Sequence, residues 1–198
     1  MDIRELDRRA MGVTARLISG LDPAQLGSPT PCERWLLADL LAHIVGQYRG
    51  FALAASGEPV GREVFRPRPV GENVAGAYTA AAALVTSAFA ADGVLDRVFY
   101  LPEIGDGGPY PARAAIGFHF VDEVAHAWDL AMAVGAPIRF DDDVLARALS
   151  IAARVPNDPA SRGDGFPFAL GADPGPDAPT LDRIVTLLGR RADWTPAR

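Results

Sequence analysis

The stretch ARAAIGFHFVDEVAHAWDLAMAVG, residues 112–135, decides the fold and contains two of the three histidines of the chain. Pro111 precedes it, as suits a helix start, and Gly135 is the residue expected just past a helix end. Asp122 and His126 are four residues apart, so they project from one face of the predicted helix, one turn apart. A carboxylate and an imidazole at this spacing can grip one metal ion.

The remaining histidine, His43, belongs to an earlier helical pattern from about Thr30 to Ser56. Thr30 is predicted to cap this helix, with Pro31 at its first position and Glu33 completing a capping box. The pattern places a histidine and a glutamine where apolar residues are expected. The predicted inward stripe is Leu36, Leu40, His43 and Gln47, flanked by Leu37, Leu41 and Ile44.

Four further segments have helical periodicity. They cover about residues 2–20, 72–91, 141–154 and 181–189. The sequence therefore predicts a mainly all-α fold in a single domain over residues 1–198. Four long helices would form a bundle over about residues 1–135, and about 136–198 would form a C-terminal helical extension. A small hairpin is predicted within residues 94–110.

Composition excludes several classes of protein. The net charge is −6, the pI is about 5.0 and no basic run is present, so nucleic-acid binding is not expected. Apolar stretches are too short for a membrane span. Cys32 is the single cysteine, which rules out an intramolecular disulfide, and no histidine adjoins it in sequence, so it is not expected to be a nucleophile. The charged start, Met1–Arg9, has no apolar leader segment, and we expect a cytoplasmic location.

His43, Asp122 and His126 could bind a metal ion or could have purely structural roles. His43 alone could be a core histidine, and Asp122 with His126 could be a surface ion pair. The apolar neighbours of the pair favour a ligand face inside the bundle or at its mouth. Burying a carboxylate and two imidazoles without partners costs several kcal/mol, and a metal ion would remove that cost. The neighbours are Phe118, Val121, Ala125 and Trp128.

Three other polar residues accompany the predicted ligands. His119 lies seven residues before His126 on roughly the same face, so it is a candidate fourth ligand, outer-sphere group or general base. The alternative is a partly exposed histidine too far away to take part. Gln47, one turn beyond His43, is a candidate substrate contact or simply the cap of a polar pocket. Glu123 lies about 100° round the helix from Asp122 and is expected to face solvent.

The chain resembles the DinB-like superfamily, in the branch of the mycothiol-dependent maleylpyruvate isomerases and actinobacterial metal-binding proteins. The resemblance covers nearly the whole chain. It is carried by Thr30–Trp35 with Asp39–His43, by Asp122–His126, by Ala127–Ala131 with Gly135, and by Asp177–Arg183 with Leu188–Arg190 and Trp194.

This resemblance implies a DinB-like four-helix bundle. It also implies a metal ion held by one histidine of the second helix and an acid-x-x-x-His pair of the fourth, which here are His43, Asp122 and His126. Relatives often have glutamate where this chain has Asp122. Zinc is the expected metal, although two histidines and a carboxylate also suit nickel, iron or manganese. Three protein ligands leave an open position, as in catalytic sites.

The resemblance therefore favours a metal-dependent enzyme, a thiol S-transferase or isomerase that activates a low-molecular-weight thiol such as mycothiol. One alternative is a metal-dependent hydrolase, lyase or cyclase acting on a small molecule of secondary metabolism. Another is a non-catalytic metal-binding stress-response module, and a weaker one is an iron oxygenase. The expected partner is a small-molecule substrate, with a homodimer left as an option.

Overall fold

The computed structural model describes residues 1–32, 35–163 and 168–196. Within these ranges the chain forms six α-helices and one antiparallel pair of short strands. The helices are α1 (Ile3–Ser19), α2 (Leu37–Ala54), α3 (Val74–Phe89), α4 (Ala112–Val134), α5 (Asp142–Ala152) and α6 (Thr180–Leu187), and the strands are β1 (Val98–Phe99) and β2 (Tyr110–Pro111).

Helices α1 to α4 form the predicted four-helix bundle. Helix α1 packs against α3 and α4, and α2 packs against the same two helices from the other side. Their apolar stripes meet in one core, which includes Leu6, Leu40, Val85 and Phe120. The main prediction from the sequence, a mainly α-helical fold built on a four-helix bundle, is confirmed.

Helix α2 begins six residues later than predicted, at Leu37 rather than Pro31. Thr30 does not cap a helix; its hydroxyl donates to the carbonyl oxygens of Cys32 and Trp35, and Pro29 pairs with Leu36 in an isolated β-bridge. Glu33, the predicted partner in a capping box, lies outside the described residues. The helix is capped instead by Asp39, whose carboxylate accepts from the Leu36 amide at 3.0 Å. The Thr-Pro pair therefore forms a turn before the helix.

The inward stripe of α2 is also shifted from the prediction. Leu36 is exposed, whereas Leu37, Leu40, Leu41 and Ile44 are buried. His43 and Gln47 are half-buried at the edge of the core. The edge position leaves both side chains able to meet a ligand.

At two glycines of α2, the segment that follows the helix packs directly against the helix backbone. A Cβ on Gly46 would overlap the carbonyl oxygen of Arg66, and one on Gly50 would overlap the ring of Phe65. The Arg68 amide donates to the Ala42 carbonyl oxygen at 2.8 Å. Because neither glycine has a side chain, residues 62–68 can lie directly against α2.

The hairpin predicted between α3 and α4 is present. Val98 pairs with Pro111 and Phe99 with Tyr110. Phe99 of β1 and Leu101 of the connecting loop are buried in the hydrophobic core, and this burial attaches the hairpin to the bundle.

The C-terminal part of the described chain lies against the bundle. Gly135 ends α4 with a φ of 65°, a conformation that favours glycine, and its amide bonds to the Met132 carbonyl oxygen. Helix α5 packs on α4 and α6, and Arg9 of α1 forms ion pairs with Asp141 and Asp143 at its start. Within the described ranges, no helix combines the length and apolar character needed to cross a bilayer.

Candidate metal centre

His43, Asp122 and His126 come together between α2 and α4. Each offers one ligand atom, and these three atoms lie within 4.8 Å of one another. The two imidazole rings are 5.0 Å apart between centroids, and Nε2 of His126 lies 3.4 Å from Oδ1 of Asp122. Two nitrogen donors and one carboxylate oxygen at this separation are chemically suited to a single divalent ion.

Trp35 and a polar pair border this centre. The Trp35 ring lies 4.8 Å from the His43 ring and 6.3 Å from the His126 ring, between centroids. Gln47, one helical turn beyond His43, donates from Nε2 to the Glu103 carboxylate at 2.8 Å. The predicted contact residue Gln47 is therefore near the centre and already linked to the loop between the two strands.

Asp129 determines how the His126 ring is oriented. Its carboxylate is fully buried and lies 2.9 Å from Nδ1 of His126. Arg190 donates to both carboxylate oxygens, at 3.3 and 2.9 Å, and the Cys32 thiol donates at 3.1 Å. With Nδ1 directed at Asp129, the Nε2 atom of His126 faces Asp122 and is the nitrogen placed to bind a metal.

The charges of the centre follow from burial and from these neighbours. Burial, with the nearby His126, lowers the pKa of His43 to about 4, so His43 is neutral at pH 7. Burial opposes a charge on His126, but Asp122 and Asp129 outweigh it and raise the pKa of His126 well above its usual value. Burial also opposes a charge on Asp122, yet His126 holds the pKa of Asp122 below its usual range.

Asp129 behaves in the same way. Burial alone would raise the pKa of Asp129, but Arg190 and His126 lower it to about 2. Asp129 is therefore a carboxylate at neutral pH and acts only as a hydrogen-bond acceptor. A proton on Nε2 of His126 would have to leave before a metal could bind there.

His119 lies in a second cluster inside the bundle. Its Nδ1 is 2.7 Å from Oδ1 of Asp7, and its ring is surrounded by Tyr48, Phe51 and Phe89. Its ring does not belong to either group of potential ligands found in the described part of the chain. Burial lowers and Asp7 raises the pKa of His119, and the net result is a raised pKa. The environment of His119 is therefore that of an interior ion pair.

Glu123 belongs to this second cluster too, which corrects the expectation that it faces solvent. It is 3% exposed, and it accepts hydrogen bonds from the hydroxyls of Thr14 and Tyr48, the latter at 2.6 Å. Burial raises the pKa of Glu123 above its usual value. The Tyr78 hydroxyl completes the cluster, 3.1 Å from that of Tyr48. The expectation was wrong because Glu123 faces α1 and α2, which supply Thr14 and Tyr48, and the half-buried side of α4 runs through Phe118 and Asp122 instead.

A second group of potential ligands consists of Cys32, His126 and Asp129, whose donor atoms also lie within 4.8 Å of one another. The guanidinium of Arg190 already supplies positive charge there, 2.9 Å from Asp129 and 3.6 Å from the Cys32 sulfur. A metal ion beside that guanidinium would be opposed by its charge. The group of His43, Asp122 and His126 fits a metal ion better.

Sequence reasoning missed the roles of Cys32, Trp35, Asp129 and Arg190. A signal existed for Asp129, because it follows His126 by three residues and so shares its side of the helix. Arg190 is 61 residues from Asp129 in sequence, and local spacing gives no sign of that contact.

The fold and this centre together define a helical bundle with a histidine–carboxylate centre between its second and fourth helices. Residues 8–131 match the family model described as the mycothiol maleylpyruvate isomerase N-terminal domain. The match covers well over half of the chain and includes all three potential ligands. The chain belongs to this family.

The chain is also similar to two curated relatives and to two solved structures. Two Mycobacterium tuberculosis proteins, Uncharacterized protein MT0763 of strain CDC 1551 / Oshkosh and Uncharacterized protein Rv0738 of a second strain, are each 35% identical over 195 residues, which is 96% of this chain and 98% of theirs. The crystal structure of the mycothiol-dependent maleylpyruvate isomerase superposes with a TM-score of 0.58 at 20% identity, covering 77% of this chain and 68% of that one. A mutant of that enzyme also gives 0.58, at 19% identity. At such identity the superposition shows a shared fold.

Proposed function

We propose that His43, Asp122 and His126 hold one divalent metal ion, with zinc as the expected metal, and that the chain is a metal-dependent isomerase or S-transferase that uses a low-molecular-weight thiol such as mycothiol. The observation that carries the proposal is the convergence of the three donor atoms within 4.8 Å. The family match supports the thiol part of the proposal.

The donors fit zinc because two imidazoles and one carboxylate leave a coordination position for a further ligand. A zinc ion in such a site lowers the pKa of a thiol bound to it, so that a thiolate is available at neutral pH. His43 has a pKa of about 4 and needs no deprotonation to donate its lone pair. Asp129 accepts a hydrogen bond from Nδ1–H of His126 and so keeps Nε2 directed at the metal position.

The residues around the centre would handle the rest of the ligand. Trp35 offers an aromatic face beside both histidines and restricts the approach of water. Gln47 and Glu103 carry polar groups suited to hydrogen bonds with hydroxyls of a sugar-containing thiol. If Gln47 and Glu103 gave up their mutual hydrogen bond and bonded to a ligand instead, few polar groups would be left unpaired.

The first test is metal content by plasma mass spectrometry on protein purified without chelator or affinity metal. We expect about one equivalent of transition metal in the wild type and loss of that metal in His43→Ala and His126→Ala. Arg49→Ala is the control, because Arg49 is an exposed residue of the same helix as His43. A wild type without metal, and with no uptake on reconstitution, would overturn the metal site.

The second test is thiol dependence. Zinc-loaded protein is incubated with maleylpyruvate or with an electrophilic acceptor, with and without mycothiol, and the product is followed by chromatography. We expect turnover only with the thiol, and none with the His126→Ala variant. Turnover of a small molecule without any thiol would favour a hydrolase, lyase or cyclase instead, and metal binding without turnover would favour a non-catalytic module.

A further inference from the structure

The Asp129 carboxylate is the most heavily bonded acceptor around the proposed metal centre. It is fully buried and accepts from His126, from Cys32 and twice from Arg190. The bond to His126 fixes the rotation of the imidazole ring. The two bonds from Arg190 fix the plane of the carboxylate itself, because a guanidinium presents its donors in a rigid fork.

Arg190 reaches this position from the segment after α6. Gly189 has a φ of 81°, and a Cβ there would overlap the carbonyl oxygen of Ala169, so the chain turns where only glycine fits. The Arg190 amide bonds to the Val185 carbonyl oxygen at 2.9 Å, and its guanidinium lies 5.5 Å from the centre of the Phe168 ring. Arg190 is therefore held in place by Phe168 and by its backbone hydrogen bond as well as by Asp129.

We propose that Arg190 is a positioning residue that sets the metal affinity of the centre through Asp129 and His126, so that metal binding and docking of residues 184–190 stabilise each other. The inference rests on the proposed function, since it requires a metal ion at His43, Asp122 and His126. It goes further because Arg190 lies beyond the part of the chain that matches the family model, residues 8–131.

The geometry supplies the physical link. Without the guanidinium, the Asp129 carboxylate is a buried charge that has lost its cationic partner, which is strongly unfavourable. It would relax by turning towards other donors, and the His126 ring would turn with it, away from Asp122. Loss of an outer-sphere partner of a metal-binding histidine typically costs about 10–100-fold in affinity.

The coupling is reciprocal. If docking of Arg190 raises the affinity for metal, bound metal must strengthen the docking of Arg190 by the same factor. Metal removal is therefore expected to loosen the turn that contains Leu188, Gly189 and Arg190 before it disturbs the bundle. Hydrogen exchange of backbone amides can detect this loosening without any enzymatic assay.

The affinity test compares zinc binding, by competition with a chromophoric chelator, in the wild type and in Arg190→Met, Arg190→Lys and Asp129→Asn. We expect Arg190→Met to lose about 10–100-fold in affinity and Arg190→Lys to recover part of the loss. Arg191→Met is the matched control and should bind like the wild type, because Arg191 is exposed and pairs only with Asp193 in the described structure. The double variant Arg190→Met/Asp129→Asn should lose no more than Asp129→Asn alone, as expected for residues that act in one chain of contacts.

Equal zinc affinity in the wild type and in a folded Arg190→Met variant would overturn the inference and leave the metal site intact. So would additive losses in the double variant. If Arg190→Met does not fold, hydrogen exchange of the wild type decides instead: greater protection of residues 184–190 with zinc supports the coupling, and equal protection refutes it. A wild type that binds no zinc would overturn the proposed function itself.

Discussion

Asp122 and Glu123 are neighbours in α4, but their carboxylates lie in different clusters and their pKa values move in opposite directions. Asp122 faces His126 at 3.4 Å, and its pKa is lowered. Glu123 is enclosed by Thr14 and Tyr48, and burial raises its pKa. Only Asp122 is placed to bind a cation.

The amide variants of these neighbours should therefore behave differently. Asp122→Asn keeps the shape of the side chain but removes a charged ligand, so zinc affinity should fall by at least about 100-fold, more than for a typical outer-sphere change. Glu123→Gln should bind zinc like the wild type. The measurement is competition with a chelator at pH 7.5. Equal losses in both variants would contradict the separation of the two clusters.

Metal affinity should increase with pH. His43 has a pKa of about 4 and is neutral, whereas the pKa of His126 is raised well above its usual value, so a proton on His126 competes with the metal ion. Each metal ion must displace that proton, which makes the apparent affinity rise about tenfold per pH unit until the pKa of His126 is reached. Zinc titrations at pH 6, 7 and 8 check the slope. A flat profile would mean that His126 is already neutral.

The polar cluster inside the bundle should contribute to stability but not to metal binding. Tyr48→Phe removes the hydroxyl that donates to Glu123, so a buried carboxyl loses a partner, and the free energy of unfolding should fall by about 1–3 kcal/mol. Urea unfolding of metal-free protein measures the loss. Tyr100→Phe is the control, because the Tyr100 hydroxyl makes no hydrogen bond to the described residues, and it should change stability by less than about 0.5 kcal/mol. A change in zinc affinity with Tyr48→Phe would connect the two clusters.

Two glycine-to-alanine changes should have opposite effects. In Gly46→Ala the new methyl group would overlap the backbone of Arg66, so the free energy of unfolding should fall by about 1–3 kcal/mol. Gly12→Ala in α1 meets only the end of the Arg16 side chain, at 3.8 Å, and should raise stability by up to about 1 kcal/mol through helix propensity. Thermal unfolding distinguishes them. A neutral Gly46→Ala would mean that residues 62–68 do not rest on α2.

The fold was predictable because its helices have clear periodicity and ends. Gly135 is a residue of the kind that marks a helix end, and the structure ends α4 there, as the sequence predicts. The start of α2 was not predictable from the sequence, because Thr30-Pro31 is equally typical of a turn and of a helix start. Tertiary hydrogen bonds from Thr30 decide between them.

The same contrast holds for the site. His43, Asp122 and His126 could be selected from helical spacing and inward position. The structure brings their donor atoms together, and the binding of a metal ion there is our proposal. The residues that support these ligands could not be selected in this way. Arg190 contacts Asp129 only because the C-terminal segment folds back onto α4. Glu123 was misplaced because α4 is apolar around most of its circumference, so the periodic pattern does not reveal which side of the helix is the less buried.

All four bundle helices contribute polar groups to the interior cluster, among them Thr14 of α1, Tyr48 of α2, Tyr78 of α3 and Glu123 of α4. Apolar side chains tolerate small sliding movements between helices, but these hydrogen bonds form only when the helices have one particular axial register. A shift of α2 by one turn, about 5.4 Å, would break them and strand a buried carboxyl. Helices α2 and α4 carry His43 and His126, so the cluster as a whole also keeps these histidines in register. Because several hydrogen bonds share this task, the loss of a single hydroxyl leaves the register, and the metal centre, unchanged.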